Sequence, residues 1–467
     1  MSRFDWRELA PSILVATLSS AFGVAVLQLV GVLNQIIVGD DVTGASATVA
    51  VLLFVIGIVF IVIAVYVGSI VTANTFATII AGRTRIIALM RLLGSSARSQ
   101  RRAVAREGLV VGVVGTAIGA MVGTVVSVAI VVIGMAAGSI PDQITYSFFS
   151  AVLVLPIVAV VLTTWLASWL GSRRVLVVSP MAATGAAHEQ SMAEAGSSKA
   201  RTTTAIAMFV VGTAILGYSV ILGLTTPNAV LIGIVGGIVS FTGLVIGAHV
   251  VMPPVLKLIG GVFGRTAASR LAAENAVRYP ERSSRTTIGL VIGVTLVTMF
   301  AVAMQGYQNI ITAAQESDPT YYQGIDEAFV VTIVVFSILM GFSALIAAVG
   351  MVNNLSLSVL QRTRELGLLR ALGFTARQVR AMITAEAAQL TLAAVVVGLS
   401  LGTFYGWVGA QATFGSVNGS PGLVVPGMPP LFLLAVIVLA AVLTIGASVA
   451  PSRRATTITP VVALARD

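Results

Sequence analysis

Long apolar runs alternate along this chain with short segments that hold almost all of its charge. A run of about 20 apolar residues is long enough to cross the hydrocarbon core of a bilayer as a helix. Such runs fall near residues 13–38, 48–80, 108–137, 149–171, 205–225, 228–256, 286–306, 328–357, 383–408 and 430–450. The pattern predicts an all-α polytopic membrane protein with ten transmembrane helices, several long enough to tilt or project from the bilayer. The fifth and sixth runs are separated only by Thr225-Thr-Pro-Asn228. The first run has no small-residue cleavage pattern and is read as a retained span, not a signal peptide.

Charge tests that count. With the N-terminus inside, the inner segments are 1–12, 81–107, 172–204, 257–285, 358–382 and 451–467, and they contain all 27 Lys and Arg residues. The outer segments contain no basic residue but hold Asp40, Asp41, Asp142, Glu316, Asp318, Asp326 and Glu327. This is the positive-inside pattern, with both termini cytoplasmic. The chain is 57% hydrophobic and only 9% charged, whereas a soluble domain carries roughly a quarter charged residues. The net charge of +10 therefore belongs to a cytoplasmic face suited to anionic membrane lipid, and nucleic acid is not an expected partner. The chain has no cysteine, which excludes disulfides and thiolate metal sites.

The inner segments contain a repeat. A shift of 279 lays Arg83-Thr84-Arg85 on Arg362-Thr363-Arg364, Arg91 on Arg370, and Leu93-Gly94 on Leu372-Gly373. The same shift lays Arg98 on Arg377, Arg101 on Arg380 and Glu107 on Glu386, then Gly119 and Gly123 on Gly398 and Gly402. Each copy reads as an amphipathic interfacial helix, a tight turn, and a second helix rising into the next span. In the second copy Leu366, Leu369 and Leu372 mark one side of the first helix. Gly373 suits its C-terminal stop, and Thr375 with Gln378 fits a capping box opening the next helix. Gly94 and Ser96 hold the corresponding places in the first copy. The Gly-x-x-x-Gly pairs that follow are read as helix-packing positions. Glu107 and Glu386, at the entry to these spans, suit either stabilisation by a helix N-terminus or a transmission role between loop and span.

A second echo, Ser172-Arg-Arg174…Pro180 and Ser452-Arg-Arg454…Pro460, closes each half. The chain thus divides into a four-span module at 1–185, a two-span linker at 186–259, and a second four-span module at 260–467. Equivalent positions are six spans apart, so the modules are parallel repeats about an axis along the membrane normal.

Some chemistry is missing. A phosphate-binding loop needs Gly-Lys-Ser/Thr, but Lys199 precedes Ala200 and Lys257 precedes Leu258. Any ATP hydrolysis, with its ATP and Mg, is therefore expected on another polypeptide, and this chain is not read as an enzyme. No catalytic residue or metal cluster stands out, and His249 is read as a packed or interfacial residue. The spans lack the buried ionisable groups of ion-coupled carriers. Their polar residues, Gln28, Asn34, Gln35, Asn74, Tyr218, Gln305, Asn353 and Asn354, are read as interhelical hydrogen-bonding groups, with Asn353 and Asn354 as gate candidates.

Arg364-Glu-Leu-Gly-Leu-Leu-Arg-Ala-Leu-Gly373 with Arg377 and Glu386 resembles the signature loop of FtsX/MacB-like ABC transporter permeases. Leu271-Ala-Ala-Glu-Asn-Ala-Val-Arg-Tyr-Pro280 and Arg453-Arg454…Pro460-Val-Val-Ala463 resemble the two ends of that permease module. The resemblance implies a permease subunit of the bacterial cell membrane, coupled to a cytoplasmic ABC ATPase through Arg83, Arg85, Arg91, Leu93, Gly94, Arg98, Glu107, Arg362, Arg364, Glu365, Leu366, Leu369, Arg370, Gly373, Arg377 and Glu386. Two loops in one chain imply two ATPase copies. The implied work is export of a lipophilic compound, peptide or lipid-linked substrate. The alternative is a non-transporting transmitter of ATPase motion to an outside or membrane partner. The chain departs from family members with a large external domain, having only short outer segments at 39–47 and 307–327.

Overall fold

The computed structural model describes residues 6–38, 92–136, 147–149, 151–172, 199–261, 271–274, 280–317, 368–370, 372–417 and 422–439, with isolated positions between 62 and 90 and at 341, 420 and 441–442. Among these residues the structure is overwhelmingly helical and contains no strand. The helices are α1 (Trp6–Val38), α2 (Ala97–Ala136), α3 (Val154–Gly171), α4 (Lys199–Gly223), α5 (Ala229–Ile246), α6 (Ala248–Gly260), α7 (Pro280–Ser317) and α8 (Ala376–Phe414), with a shorter α9 (Pro430–Leu439). Seven of them, α1–α5, α7 and α8, are long and apolar enough to cross a membrane. They fall on seven of the predicted runs, and α9 falls on an eighth. The runs at 48–80 and 328–357 lie largely outside the described residues.

Two boundaries differ from the sequence expectation. The run at 228–256 is not one helix: α5 ends at Ile246 and α6 starts at Ala248. Gly247 makes the break, its φ of −84° and ψ of 3° departing from helical values. Pro253 and Pro254 lie inside α6, where each removes a backbone donor. In addition, α7 runs past residue 306 to Ser317, so the segment read as an outer loop begins as helix. Tyr307, Ile310, Ile311 and Ala314 are buried there at helical spacing, and the Tyr307 ring packs 4.7 Å from that of Phe414.

Close approach between helices is made by glycine, because adjacent surfaces in lipid gain from contact more than from burial. Gly115 and Gly119 of α2 press on Ala16 and Ser20 of α1, and a Cβ on Gly119 would lie 2.7 Å from Ser20 Cβ. Gly398, Gly402 and Gly406 of α8 press on Val294, Thr295 and Met299 of α7, and a Cβ on Gly398 would lie 2.7 Å from Val294 Cβ. Residue numbers rise together along both contacts, so each pair runs parallel. The α7–α8 crossing starts at Gly398, about one helical turn farther from its loop glycine than the α1–α2 crossing at Gly115.

The α2–α3 and α4–α5 pairs are antiparallel: Gly108 meets Ser168 while Gly112 meets Val161, and Gly243 meets Ala205 while Gly236 meets Leu216. The linking pair is no loose tether. Gly223 at the end of α4 packs on Gln411 and Ala412 of α8. One apolar core joins α1, α4, α5, α6, α7 and α8 through Phe22, Leu216, Phe241, Met252, Ile292 and Leu390.

Candidate functional site

The two repeated loops fold into the same turn. Gly94 has φ 93° and Gly373 φ 100°, a left-handed conformation that glycine adopts without a Cβ penalty. Around Gly94, Leu93 N–H donates to Leu89 O at 3.1 Å and Ser95 N–H to Met90 O at 3.0 Å. Around Gly373, Leu372 N–H donates to Leu368 O at 2.9 Å and Phe374 N–H to Leu369 O at 3.0 Å. These are the same bonds after a shift of 279. The Gly373 N–H also donates to Arg370 O at 3.1 Å, completing the paired carbonyl caps of a Schellman ending.

The next helix is capped in both copies. Thr375 Oγ1 accepts from Gln378 N–H at 3.2 Å, while Gln378 Oε1 accepts from Thr375 N–H at 2.9 Å. In the first copy Ser96 Oγ accepts from Ser99 N–H at 3.1 Å. Beyond the caps, α2 and α8 are continuous helices of 40 and 39 residues. At 1.5 Å per residue each is about 60 Å long, roughly twice the hydrocarbon thickness. Each is therefore long enough to cross the bilayer and still extend beyond it, with no break between the turn and its far end.

Both turn tips expose apolar and basic groups together. Leu93 is 82% exposed and Leu372 73%, and Arg98 and Arg377 beside them are exposed. Leu369 instead turns inward, packing with Phe374 on Ala272, Val379, Met382 and Ile383. Leu372 therefore does not share the packed side of Leu369: the helix ends there, and its last side chain projects off the tip. Arg370 is half-buried. Arg83, Arg85, Arg91, Arg362, Arg364, Glu365 and Leu366 lie outside the described residues.

Glu107 and Glu386 lie ten residues inside α2 and α8. A helix-terminus field falls off within the first turn, so that account of the two carboxylates does not hold. Both are half-buried on the stretch leading from turn to span.

The first copy carries a brace that the repeat did not reveal. Arg101 stacks its guanidinium 4.0 Å over the Trp169 ring and donates to Ser172 Oγ at 3.3 Å and Trp169 O at 3.4 Å. It ties the base of α2 to the end of α3. In the second copy the loop packs on the helical residues 271–274 through Ala272. Arg101→Ala is expected to lower stability by about 0.5–1 kcal/mol, the usual worth of an accessible cation–π contact. A thermal-unfolding midpoint in detergent measures this, and no shift would show the stacking to be energetically idle.

Of the polar span residues, Gln28 makes an interhelical bond, donating to Thr124 Oγ1 at 3.0 Å, and also donates to Phe148 O outside the helices at 3.0 Å. Gln305 instead bonds within its own helix, to Asn309 Oδ1 at 3.0 Å, and Tyr218 is exposed on α4. Their positions one helical turn from a partner, or on an outward face, explain both departures. The side chains of Asn34, Asn74, Asn353 and Asn354 lie outside the described residues. His249 is buried, with Nδ1 3.1 Å from Ile246 O. No cluster of potential metal ligands occurs among the described residues.

Other polar groups went unnoticed in the sequence. Tyr66 donates to Ile238 O at 3.1 Å and lies 2.7 Å from Thr242 Oγ1. The Tyr405 hydroxyl lies 2.9 Å from Ser240 Oγ. Near the C-terminal end of α8, Gln411 and Trp407 hold residues 422–424: Gln411 donates to Gly422 O at 3.2 Å and accepts from Val424 N–H at 3.0 Å, and Trp407 Nε1 donates to Val424 O at 2.6 Å. None of these residues belongs to the repeat, and their partners lie on other helices or loops.

Comparison with known proteins agrees with this geometry. The profile of a family described as FtsX-like permease C-terminal matches residues 58–176 and 337–460, together more than half of the chain. Each matched segment contains one of the two turns. A Bacillus subtilis (strain 168) protein named "Uncharacterized ABC transporter permease YknZ" is 30% identical over 101 residues. That match covers 22% of this chain and 24% of the relative's length.

Proposed function

The chain belongs to the FtsX-like permease family, and from that premise we propose that it is the membrane-spanning subunit of an ABC transporter exporting a lipophilic, peptide or lipid-linked substrate. In this reading ten spans form two parallel four-span modules, 1–185 and 260–467, joined by 186–259. Both termini and both turns are cytoplasmic, where the basic face also meets anionic lipid. A separate ATPase binds ATP and Mg, and two ATPase copies engage one chain, one at each turn.

The observation that carries this reading is the twin turn. Two loops 279 residues apart adopt the same bonds around a left-handed glycine and expose the same Leu–Arg pair. Each feeds an unbroken helix that crosses the membrane. A stiff helix moves as one body, so displacement at Leu93 or Leu372 reaches α1 or α7 through the glycine contacts. Glu107 and Glu386 lie on that path.

Purification of the chain with its ATPase is expected to give one permease per two ATPase subunits. Two permease chains per ATPase pair would contradict the assignment. Reconstitution in vesicles then separates export from transmission. ATP-dependent flux of a lipophile is the expected result, whereas ATP turnover coupled only to a partner protein points to a transmitter.

A further inference from the structure

Away from the coupling turns, the spans form a partly open pocket to which no role has yet been given. It has a volume of about 140 Å³ and is bounded among the described residues by Tyr66, Gly237, Phe241, Thr295, Tyr405 and Gly409, with neighbouring apolar side chains of α4, α5 and α7. The polar atoms of its two tyrosines are already engaged, Tyr66 with Thr242 and Ile238 O and Tyr405 with Ser240. Phe241 stands edge-on to both tyrosine rings, with centroids 6.4 and 6.1 Å apart. The wall is therefore mainly hydrocarbon and aromatic; its one unsatisfied hydroxyl among the described residues is that of Thr295 on α7.

Glycine usage argues against a simple packing fault. Gly236 on α5 is pressed against α4, where a Cβ would lie 2.9 Å from Leu216 N. The adjacent Gly237 has nothing within 4 Å of a Cβ, and the same holds for Gly409 on α8. These two glycines bring no helices together. They keep space open on two facing walls, at the cost in helix preference that glycine carries.

We propose that this pocket binds the hydrocarbon part of a lipophilic molecule, either an aromatic ring or a stretch of acyl chain. An apolar cavity of about 150 Å³ stays dry and accepts benzene-sized guests, so the size suits one ring or a few methylenes. A charged group has no charged counterpart among the described lining residues and would lose its hydration there, while the Thr295 hydroxyl could serve one small polar substituent. The pocket uses Tyr66 from the first half, α5 from the linker, and α7 and α8 from the second half. The linking pair is thus part of a binding site as well as a connector. Identifying the occupant as transported cargo rests on the export reading; its binding does not.

The test uses the full chain in phosphatidylcholine–phosphatidylglycerol vesicles without ATPase. Two photoreactive probes are compared: the uncharged lipophile trifluoromethylphenyl diazirine, and a phosphatidylcholine bearing a diazirine in its acyl chain. Labelled peptides are located by mass spectrometry, with the exposed Tyr218 of α4 reporting ordinary lipid-face labelling. Labelling of the α5 and α8 walls by the aromatic probe is expected to saturate under competition with unlabelled lipophile. It should fall by roughly tenfold, corresponding to 1.4 kcal/mol of lost affinity, in both Gly237→Leu and Gly409→Leu, positions where an added Cβ meets nothing within 4 Å. Tyr218 labelling should not change, which also verifies that each variant inserts.

Wall labelling confined to the acyl-chain probe, and lost in both variants, supports the pocket and identifies a bilayer lipid chain as its occupant. Wall labelling by the free lipophile shows access for a solute. Labelling that does not saturate, or persists in both variants, overturns the proposal. A pocket that labels as expected in a protein showing no ATP-driven flux retains the binding site and removes the export reading.

Discussion

Replacing Gly373 by valine is expected to reduce permease-dependent stimulation of the partner ATPase by about tenfold or more, with the chain still inserted. At φ 100° an L side chain meets a penalty of roughly 1–2 kcal/mol, and β-branching raises it. Each 1.4 kcal/mol corresponds to about tenfold in an equilibrium. The turn would relax by losing the bonds from Phe374 N–H to Leu369 O and Gly373 N–H to Arg370 O, moving Leu372 and Arg377 from their presented positions. Gly373→Asn, which tolerates the left-handed region, should retain much of the stimulation. Gly94→Val should act through the other turn, and the double valine variant should be uncoupled altogether. ATP turnover of the reconstituted complex measures all four. Full stimulation in the double variant would remove these turns from the mechanism.

Gly402→Leu should instead damage assembly itself. A Cβ there would lie 2.7 Å from the Thr295 carbonyl oxygen and against the Thr298 side chain, so α7 and α8 must separate to admit it. Overpacking of this kind costs about 1–3 kcal/mol and sometimes more, and the obstacle here includes backbone, which cannot change rotamer. Gly409→Leu is the internal control, since a Cβ at that position on the same helix meets nothing within 4 Å. The expected readings are a markedly lower unfolding midpoint in detergent for Gly402→Leu and one near wild type for Gly409→Leu. Equal midpoints for Gly402→Leu and wild type would show that the parallel α7–α8 contact contributes little.

The two predictions concern different links between sequence and function. Gly373 sets a backbone shape at a surface, and its effect belongs in coupling. Gly402 sets a separation between spans, and its effect belongs in stability. The continuity of α8 from Ala376 to Phe414 joins the turn at Gly373 to the contact at Gly402 by one helix.

The sequence by itself determined the apolar spans, the basic segments between them, and the repeated turn. Span length and charge placement are properties of local runs, which hydropathy reads directly. The stop at Gly373 and the Thr375–Gln378 cap were legible because helix ends depend on residues within a few positions of one another. The helix break at Gly247, the inward Leu369 with the outward Leu372, and the interior placement of Glu107 and Glu386 were decided by the tertiary structure. So were the Arg101–Trp169 brace and the Tyr66–Phe241–Tyr405 pocket. In lipid a helix is apolar on every side, so periodicity gives little indication of which face meets a neighbour. Tyr66 reaches Thr242 across 176 positions, and Tyr405 reaches Ser240 across 165. No local pattern encodes such pairings; they arise only when the packed helices bring those residues together.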